Sequence, residues 1–289
     1  SDIRYVRQSF AWSEIEPRAG ELIWDRYDAI VESLNERGIR VIAVLHRSPD
    51  WARPPEQVGY FDAPPTNPET YANFANAVAA RYGDRLQFYQ LWDEPNRADH
   101  WGGRPGEPAE YVSSVLSLGF NAIRAANPTA TIILAEPARQ TEQTGLGADL
   151  AWVRGVYEAG GQPFFHVVAA DLRGGVKSPY DRGVAPELIN LARATLFRGL
   201  MIELDDAGRP IWGTHYGWAR GEGDAGVPES LQAAYAVAGM DRARAEWPWL
   251  GPLFFSGLAP GPSLGGEVPE AESLLRADGT STLLLGTLQ

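Results

Sequence analysis

Short unbroken apolar runs alternate along the chain with longer segments in which apolar residues recur every three or four positions. Unbroken runs are typical of strands in a parallel sheet covered on both faces, and the second spacing is typical of amphipathic helices. The predicted strands cover residues 4–10, 39–45, 86–92, 131–135, 165–170, 210–214 and 252–258. Predicted helices cover residues 108–126, 149–159, 186–200 and 228–247, and two more follow Asp25 and Asn67.

The ends of two helices can be placed from capping residues. Asp25 is the predicted N-cap of a helix that stops at Gly38, since glycine tolerates the left-handed conformation that ends many helices. Asn67 is the predicted N-cap of the next one, because Pro68 and Glu69 follow it at positions where helices favour proline and an acid.

The repeat of strand and helix predicts one sheet, and therefore one domain over residues 1–289. Strand starts recur roughly every 35 to 47 residues, the length of a β/α unit with its crossover helix. The segments after strands are long, whereas those after helices are short. A barrel with its site at the C-terminal ends of the strands shows that asymmetry. The long segments are residues 47–66, 96–107, 136–148, 172–185 and 216–227.

Two adjacent acids, Asp93 and Glu94, stand at the end of a predicted strand that Pro95 terminates. Burial among the neighbouring aromatic side chains raises the pKa of a carboxyl, as a general acid near neutral pH requires. The alternative is an ordinary acidic loop beside a proline.

Composition excludes several classes of function. The net charge of −12 and the lack of a basic, aromatic-rich block argue against nucleic acid as a partner of this acidic protein. No apolar run reaches the roughly 20 residues of a membrane span. Without cysteine there is no disulfide or thiolate metal site. His46, His215, Asp93 and Glu94 suit a metal ion chemically, but no close-spaced ligand pair is present, so neither a metal nor another cofactor is predicted.

Four segments resemble the clan A retaining glycoside hydrolases. They are residues 6–17, 38–52, 91–96 and 210–218, in the order of that family's second, third, fourth and seventh strands. The resemblance implies a TIM (β/α)8 barrel whose first β/α unit is absent from this chain. Residues 281–288 are a strand-like candidate for filling the gap, and the alternative is that upstream residues of a longer parent were lost.

The resemblance also implies roles for two residues. Glu94 matches the family's acid/base, but His215 stands where the family has its nucleophilic Glu. A retaining mechanism needs two carboxyl groups, and imidazolium would oppose the positive charge that develops on the sugar. Ordinary retaining hydrolysis is therefore expected to be absent or severely slowed. Two milder departures are Asp93 in place of an Asn and Asp171 where relatives often carry His.

Glu136 and Asp171 follow predicted strands and are candidates to restore catalysis. Either acid could pair with Glu94 in an inverting mechanism, which places its carboxyls about 6.5 to 9.5 Å apart. The alternative is that both acids form ion pairs with loop arginines such as Arg139 and Arg173.

Further residues are predicted to contact a sugar. Aromatic rings can pack on the C–H faces of sugars. Arg7, on the first predicted strand, can pair with Asp93 or Glu94, or it can be a structural charge at the strand end. The predicted binding residues are Arg7, Trp12, His46, Trp51, Trp92, Asp93, Asn96, Trp101, Tyr216 and Trp218.

The resulting prediction is a glycoside hydrolase-like protein that hydrolyses or transfers at an O-glycosidic bond, with Glu94 as acid/base and with activity impaired at His215. One alternative is a non-catalytic carbohydrate-binding or interaction module within a longer protein. Another is a scaffold for neighbouring domains. The partner is an oligo- or polysaccharide, and the location stays open, with an extracytoplasmic one favoured.

Overall fold

The computed structural model describes residues 3–57, 59–60, 62–141, 145–263 and 266–288. Parts of the predicted loops 47–66 and 136–148 lie outside these ranges. The chain forms two compact units, Arg4–Val168 and the residues from Ala169 onward with Ile3. Within the described ranges, no helix is both long enough and apolar enough to cross a membrane.

The first unit contains a parallel sheet of four strands. Its order is β1 (Tyr5–Ala11), β2 (Arg40–His46), β3 (Phe88–Leu91) and β4 (Thr131–Ile133). Two short antiparallel strands follow, β5 (Gln140–Thr141) and β6 (Gly145–Leu146).

The helices of the first unit are α1 (Trp12–Ile15), α2 (Asp25–Glu36), α3 (Pro68–Tyr82), α4 (Pro108–Tyr111), α5 (Ser117–Ala126) and α6 (Ala148–Glu158). Phe10 of β1 packs against Tyr27 of α2 and Tyr82 of α3, with ring centroids 4.7 and 5.9 Å apart. Successive side chains of a strand point to opposite faces. Arg7 and Ser9 therefore lie on the face of β1 away from these helices.

The second unit contains a parallel sheet in the order β7 (Val168–Arg173), β8 (Ile211–Gly217) and β9 (Leu250–Phe255). A small antiparallel pair, β10 (Gly261–Ser263) and β11 (Gly266–Val268), follows β9. The helices are α7 (Ala194–Glu203), α8 (Glu229–Glu246) and α9 (Leu283–Thr287).

All seven predicted strands are present, with shifted ends. β7 and β8 continue three residues beyond their predicted ends, to Arg173 and Gly217. Asp171 and His215 consequently lie within strands, whereas the sequence places both just after them. The hydrogen bonds of a strand join backbone groups and do not depend on side-chain polarity. A strand can therefore continue past the first polar side chain that ends its apolar run.

Two predicted helices are less regular than their periodicity indicates. Residues 108–126 contain a π-helical turn, Val112–Leu116, between α4 and α5. The Ser114 hydroxyl donates to the Glu110 carbonyl there at 2.6 Å, a contact that competes with regular helix hydrogen bonds. The helix predicted at 186–200 begins only at Ala194, because Asn190 and Arg193 bond carbonyls of the preceding segment.

The predicted strand at 281–288 is wrong. This segment contains α9, and the Thr282 hydroxyl accepts a hydrogen bond from Leu285 N at 3.3 Å as its N-cap. Leu284 and Leu285 are buried, so the apolar run serves a helical turn and does not supply a missing strand.

The two predicted helix starts differ in outcome. Asn67 is confirmed as an N-cap, since its Oδ1 accepts from Glu69 N at 3.1 Å. Asp25 is the first residue of α2 and not its cap, because Trp24 occupies the cap position without a side-chain hydrogen bond.

Candidate active site

A strained turn follows β3 and presents Glu94. Trp92 and Glu94 have positive φ angles of 74° and 41°. Non-glycine residues in this region cost about 1–3 kcal/mol each and persist where neighbouring contacts hold them. Trp92 N donates to Leu45 O at 3.0 Å and Glu94 N donates to Glu136 O at 2.8 Å. The turn is thereby tied to β2 and to the segment after β4.

The Glu94 carboxyl is buried and has two basic neighbours. Arg97 Nη1 lies 2.6 Å from Glu94 Oε2, and His100 Nδ1 lies 3.7 Å from the same oxygen. Burial raises the pKa of Glu94, and the negative charges of Asp93 and Glu136 raise it further. Arg97 and His100 act in the opposite direction without cancelling the effect. The direction of the shift is the one that the sequence predicts.

Arg97 was not singled out by the sequence, although it lies only three positions after Glu94. Its guanidinium also donates to Asp99, with Nε to Oδ1 at 3.0 Å and Nη2 to Oδ2 at 2.6 Å. Arg97 therefore bridges a buried acid and an exposed one. A charged residue one turn beyond a candidate acid is the signal that could have identified it.

Asp93 is held by a hydrogen-bond network with Arg7 of β1 and Gln90 of β3. Arg7 Nη2 donates to Asp93 Oδ1 at 2.8 Å, and Arg7 Nε donates to Gln90 Oε1 at 3.1 Å. Gln90 Nε2 completes the network by donating to Asp93 Oδ1 at 3.0 Å. Of the partners considered for Arg7, the structure shows an ion pair with Asp93.

His46, the last residue of β2, is buried between Ser9 and Asp62. Its Nε2 lies 2.8 Å from Ser9 Oγ, and its Nδ1 lies 3.1 Å from Asp62 Oδ1. Arg47 Nε lies 3.8 Å from the same Asp62 oxygen. Both imidazole nitrogens therefore have polar neighbours.

Most of the predicted aromatic platforms have a packing role instead. Trp12 stacks on Phe74 at 5.3 Å, and Trp92 meets Trp101 edge-on at 5.4 Å. A ring enclosed by protein atoms has no face left for a sugar. The predicted aromatic binding residues with buried side chains are Trp12, Trp92, Trp101, Tyr216 and Trp218. Apolar strand-end residues and apolar binding residues look alike in a sequence, which explains the error.

Trp51 is the exception, since 36% of its surface is exposed. It lines a groove of about 190 Å³ together with Leu22, Phe74 and Asn73. Its indole nitrogen donates to the Glu16 carbonyl at 2.9 Å, which fixes the ring. Trp51 therefore remains the aromatic candidate for contact with a sugar.

The Asn96 side chain links two loops of the first unit by hydrogen bonds. Its side-chain nitrogen donates to Ala138 O at 2.8 Å, and its side-chain oxygen accepts from Ala138 N at 2.7 Å. Because both ends of the buried amide bind backbone, we assign Asn96 a structural role in place of the predicted sugar contact.

The remaining candidates differ in their surroundings. Asp171 is buried and paired with Arg173, whose Nη2 lies 2.6 Å from Asp171 Oδ2. This contact is the ion pair that the sequence offered as the alternative to a catalytic role. Glu136 is buried in the first unit, and His215 is half-buried on β8 of the second. Among the residues that the structure describes, no group of three or more His, Asp or Glu is arranged to hold a metal ion.

Parallel β/α units with a buried acid of raised pKa at the C-terminal end of a strand define a class of protein. That arrangement is typical of (β/α)8 enzymes, whose sites lie at the C-terminal ends of the strands. The sequence model of Cellulase (glycosyl hydrolase family 5) matches residues 2–163. The chain belongs to this family of carbohydrate-active proteins, as its resemblance to clan A glycoside hydrolases predicts.

Solved structures of glycoside hydrolases are similar to the whole chain. A family 39 glycoside hydrolase from Bacteroides cellulosilyticus WH2 is 20% identical with a TM-score of 0.69, and the match covers 97% of this chain but 56% of that one. Xylanase 10B from Thermotoga maritima is 14% identical with a TM-score of 0.63, covering 99% and 85%. Endo-glycoceramidase II from Rhodococcus sp. is 19% identical with a TM-score of 0.61, covering 99% and 70%.

These likenesses show the fold, which is of the (β/α)8 barrel class. The absence of the first β/α unit stays a prediction. No curated protein matches the chain.

Proposed function

We propose that this protein binds a carbohydrate and acts at its O-glycosidic bond, with Glu94 as the acid/base. The observation that carries the proposal is the raised pKa of Glu94 on a turn that neighbouring backbone holds in place. A protonated carboxyl can donate to the glycosidic oxygen as the bond to the sugar breaks. Membership of a glycosyl hydrolase family supports the reaction class.

We further propose that His215 makes the retaining route slow or absent. A covalent glycosyl intermediate needs a carboxylate nucleophile, and neither form of imidazole supplies a negative charge. Glu136 is the remaining candidate for a second carboxylate, because its charge already acts on Glu94. We propose it as a base for water in an inverting route. Asp171 is less suited, since Arg173 binds its carboxylate.

A non-catalytic carbohydrate-binding module is the second candidate. Two observations favour it. Arg97 Nη1 forms an ion pair with Glu94 Oε2 at 2.6 Å, and His215 lacks the negative charge of a carboxylate nucleophile. Trp51, with its exposed ring beside a groove, is the proposed sugar contact in either case. The names xylanase and endo-glycoceramidase point to different substrates, so we propose only an O-linked glycan.

Hydrolysis of aryl glycosides tests the catalytic proposal. We expect slow turnover by the wild type and a loss of about 10²-fold or more in Glu94→Gln, because proton donation to the leaving group typically contributes that much. Glu32→Gln, an exposed acid on α2, is the matched control and should retain the wild-type rate.

His215→Glu separates the two candidates. If only the nucleophile is missing, this variant should gain activity that Glu94→Gln removes again. Glycan binding without turnover in both the wild type and His215→Glu would support the binding module. Turnover that is equal in wild type and Glu94→Gln would contradict the role of Glu94.

A further inference from the structure

Ser9, His46 and Asp62 lie in a row of polar contacts that glycoside cleavage does not use, with a hydrogen bond between Ser9 and His46 and an ionic contact between His46 and Asp62. The Ser9 hydroxyl is 2.8 Å from His46 Nε2, and Asp62 Oδ1 is 3.1 Å from His46 Nδ1. A hydroxyl, an imidazole and a carboxylate in this order are the parts of a nucleophilic triad, which is recognised by geometry and not by sequence position.

Burial differs among the three residues in the way that such a triad needs. His46 and Asp62 are buried, whereas Ser9 is only half-buried. The surrounding protein therefore encloses the base and its neighbouring acid, while part of Ser9 remains exposed. A purely structural serine needs no such exposure.

The contact with Asp62 favours one tautomer of His46. A carboxylate beside Nδ1 favours the tautomer that carries its proton on that nitrogen. Nε2 is then the acceptor, and the Ser9 hydroxyl donates to it. This is the direction in which His46 can take the proton as Ser9 Oγ attacks an electrophile.

We infer that Ser9, His46 and Asp62 form a second reactive centre, which cleaves small acyl esters carried by a carbohydrate. Ser9 Oγ bonds to the acyl carbon while His46 Nε2 takes the hydroxyl proton. The ester bond breaks, and His46 returns that proton to the departing sugar oxygen. Water, deprotonated by His46, then attacks the acyl carbon; the bond from that carbon to Ser9 Oγ breaks, His46 returns the proton to Ser9 Oγ, and a carboxylic acid is released.

The sugar part of this inference rests on the proposed function. Ser9 lies two residues from Arg7 on the same face of β1, and Arg7 binds Asp93, the neighbour of Glu94. A glycan held near Glu94 would thus have its substituents within reach of this strand face. Small acyl groups suit a hydroxyl that is only half-exposed.

Hydrolysis of p-nitrophenyl acetate, a sugar-free ester, tests the reactive centre apart from glycosidase activity. We expect the wild type to exceed the buffer rate and Ser9→Ala to lose the excess, about 10²-fold or more for a general base acting on a nucleophile. Ser113→Ala, which changes an exposed helix serine, should match the wild type. An equal rate in Ser9→Ala would overturn the inference, whatever the outcome with aryl glycosides.

A thiol probe provides a second readout, because these 289 residues contain no cysteine. In Ser9→Cys, His46 should promote the thiolate, so alkylation by iodoacetamide at pH 7 should be about tenfold faster than in Ser113→Cys, since an unassisted thiol has a pKa of about 8.5. Adding Asp62→Asn or His46→Gln should move the pH profile of alkylation toward that of the control thiol. Circular dichroism checks that each variant is folded, and identical profiles at both positions would show that the contacts are only structural.

Discussion

Glu94 combines two features that oppose stability, a positive φ and a buried carboxyl. Both are accommodated because Glu94 N is bonded to Glu136 O and because Arg97 pairs with the side chain. Functional groups held in this way commonly reduce stability, since the folded protein must fix a conformation and a charge that water would favour less. The same features make Glu94 suitable as a proton donor.

The raised pKa of Glu94 predicts a pH-dependent stability. The unfolded carboxyl titrates near its usual 4.5, and burial raises the pKa in the folded state. Between the pKa of Glu94 in the unfolded state and its higher pKa in the folded state, the folded protein binds more protons than the unfolded chain. The free energy of unfolding therefore falls as the pH rises through this window. A tenfold difference in proton affinity between the two states corresponds to about 1.4 kcal/mol. Glu94→Gln should therefore melt at a higher temperature than the wild type at pH 7, and the gain should shrink toward pH 4.

Thermal melts at a series of pH values measure this effect. Glu32→Gln serves again as the control, because surface substitutions usually change stability by no more than about 0.5 kcal/mol. A lower melting temperature of Glu94→Gln at pH 7 would mean that the ion pair with Arg97 outweighs the cost of burying the charge.

At the scale of elements, α3 shows how local sequence and packing cooperate. Its apolar positions Tyr71, Phe74 and Val78 are buried, while the Asn67 side chain satisfies an amide at its start. The same helix contributes Phe74 and Asn73 to the groove beside Trp51. A secure N-terminus for α3 therefore also positions one wall of that groove.

Asn67→Ala should lower the free energy of unfolding by about 1 kcal/mol, the usual cost of losing an N-cap. Asn73→Ala on the exposed face of the same helix is the matched control, and it should be neutral or slightly stabilising, since alanine has the higher helix propensity. Urea titrations at constant pH measure both. Equal effects would show that the cap contributes nothing beyond the change of residue.

At the scale of the whole molecule, the sequence predicts one domain, whereas the contacts group the chain into two compact units. The boundary between the two units lies between Val168 and Ala169, at the start of β7. Domain boundaries usually lie in exposed linkers rich in proline, glycine or polar residues. A division within a buried strand is not of that kind, and the single domain stays a prediction.

Unfolding experiments test this prediction. We expect one cooperative transition, with tryptophan fluorescence and far-ultraviolet circular dichroism giving the same midpoint. Both units contain tryptophans, for example Trp92 and Trp212, so fluorescence reports on each. Two separate transitions, or midpoints that differ between the probes, would show two independently folding domains.

The sequence by itself determined the β/α order, the Asn67 cap, the family and the candidate acid Glu94. These features depend on local periodicity, on capping chemistry and on short motifs, all of which are written in consecutive residues. The C-terminal leucines show the limit of that approach, because the same apolar run fits a strand or a turn of helix.

Only the tertiary structure decided which polar groups meet. Arg7 and Asp93 are 86 positions apart, and Ser9 and His46 are 37 apart, so no local pattern could pair them. Burial likewise separated Trp51 from the enclosed aromatic residues. The physical reason is that exposure, ion pairing and desolvation are set by neighbours in space, which the chain brings together only when its strands align.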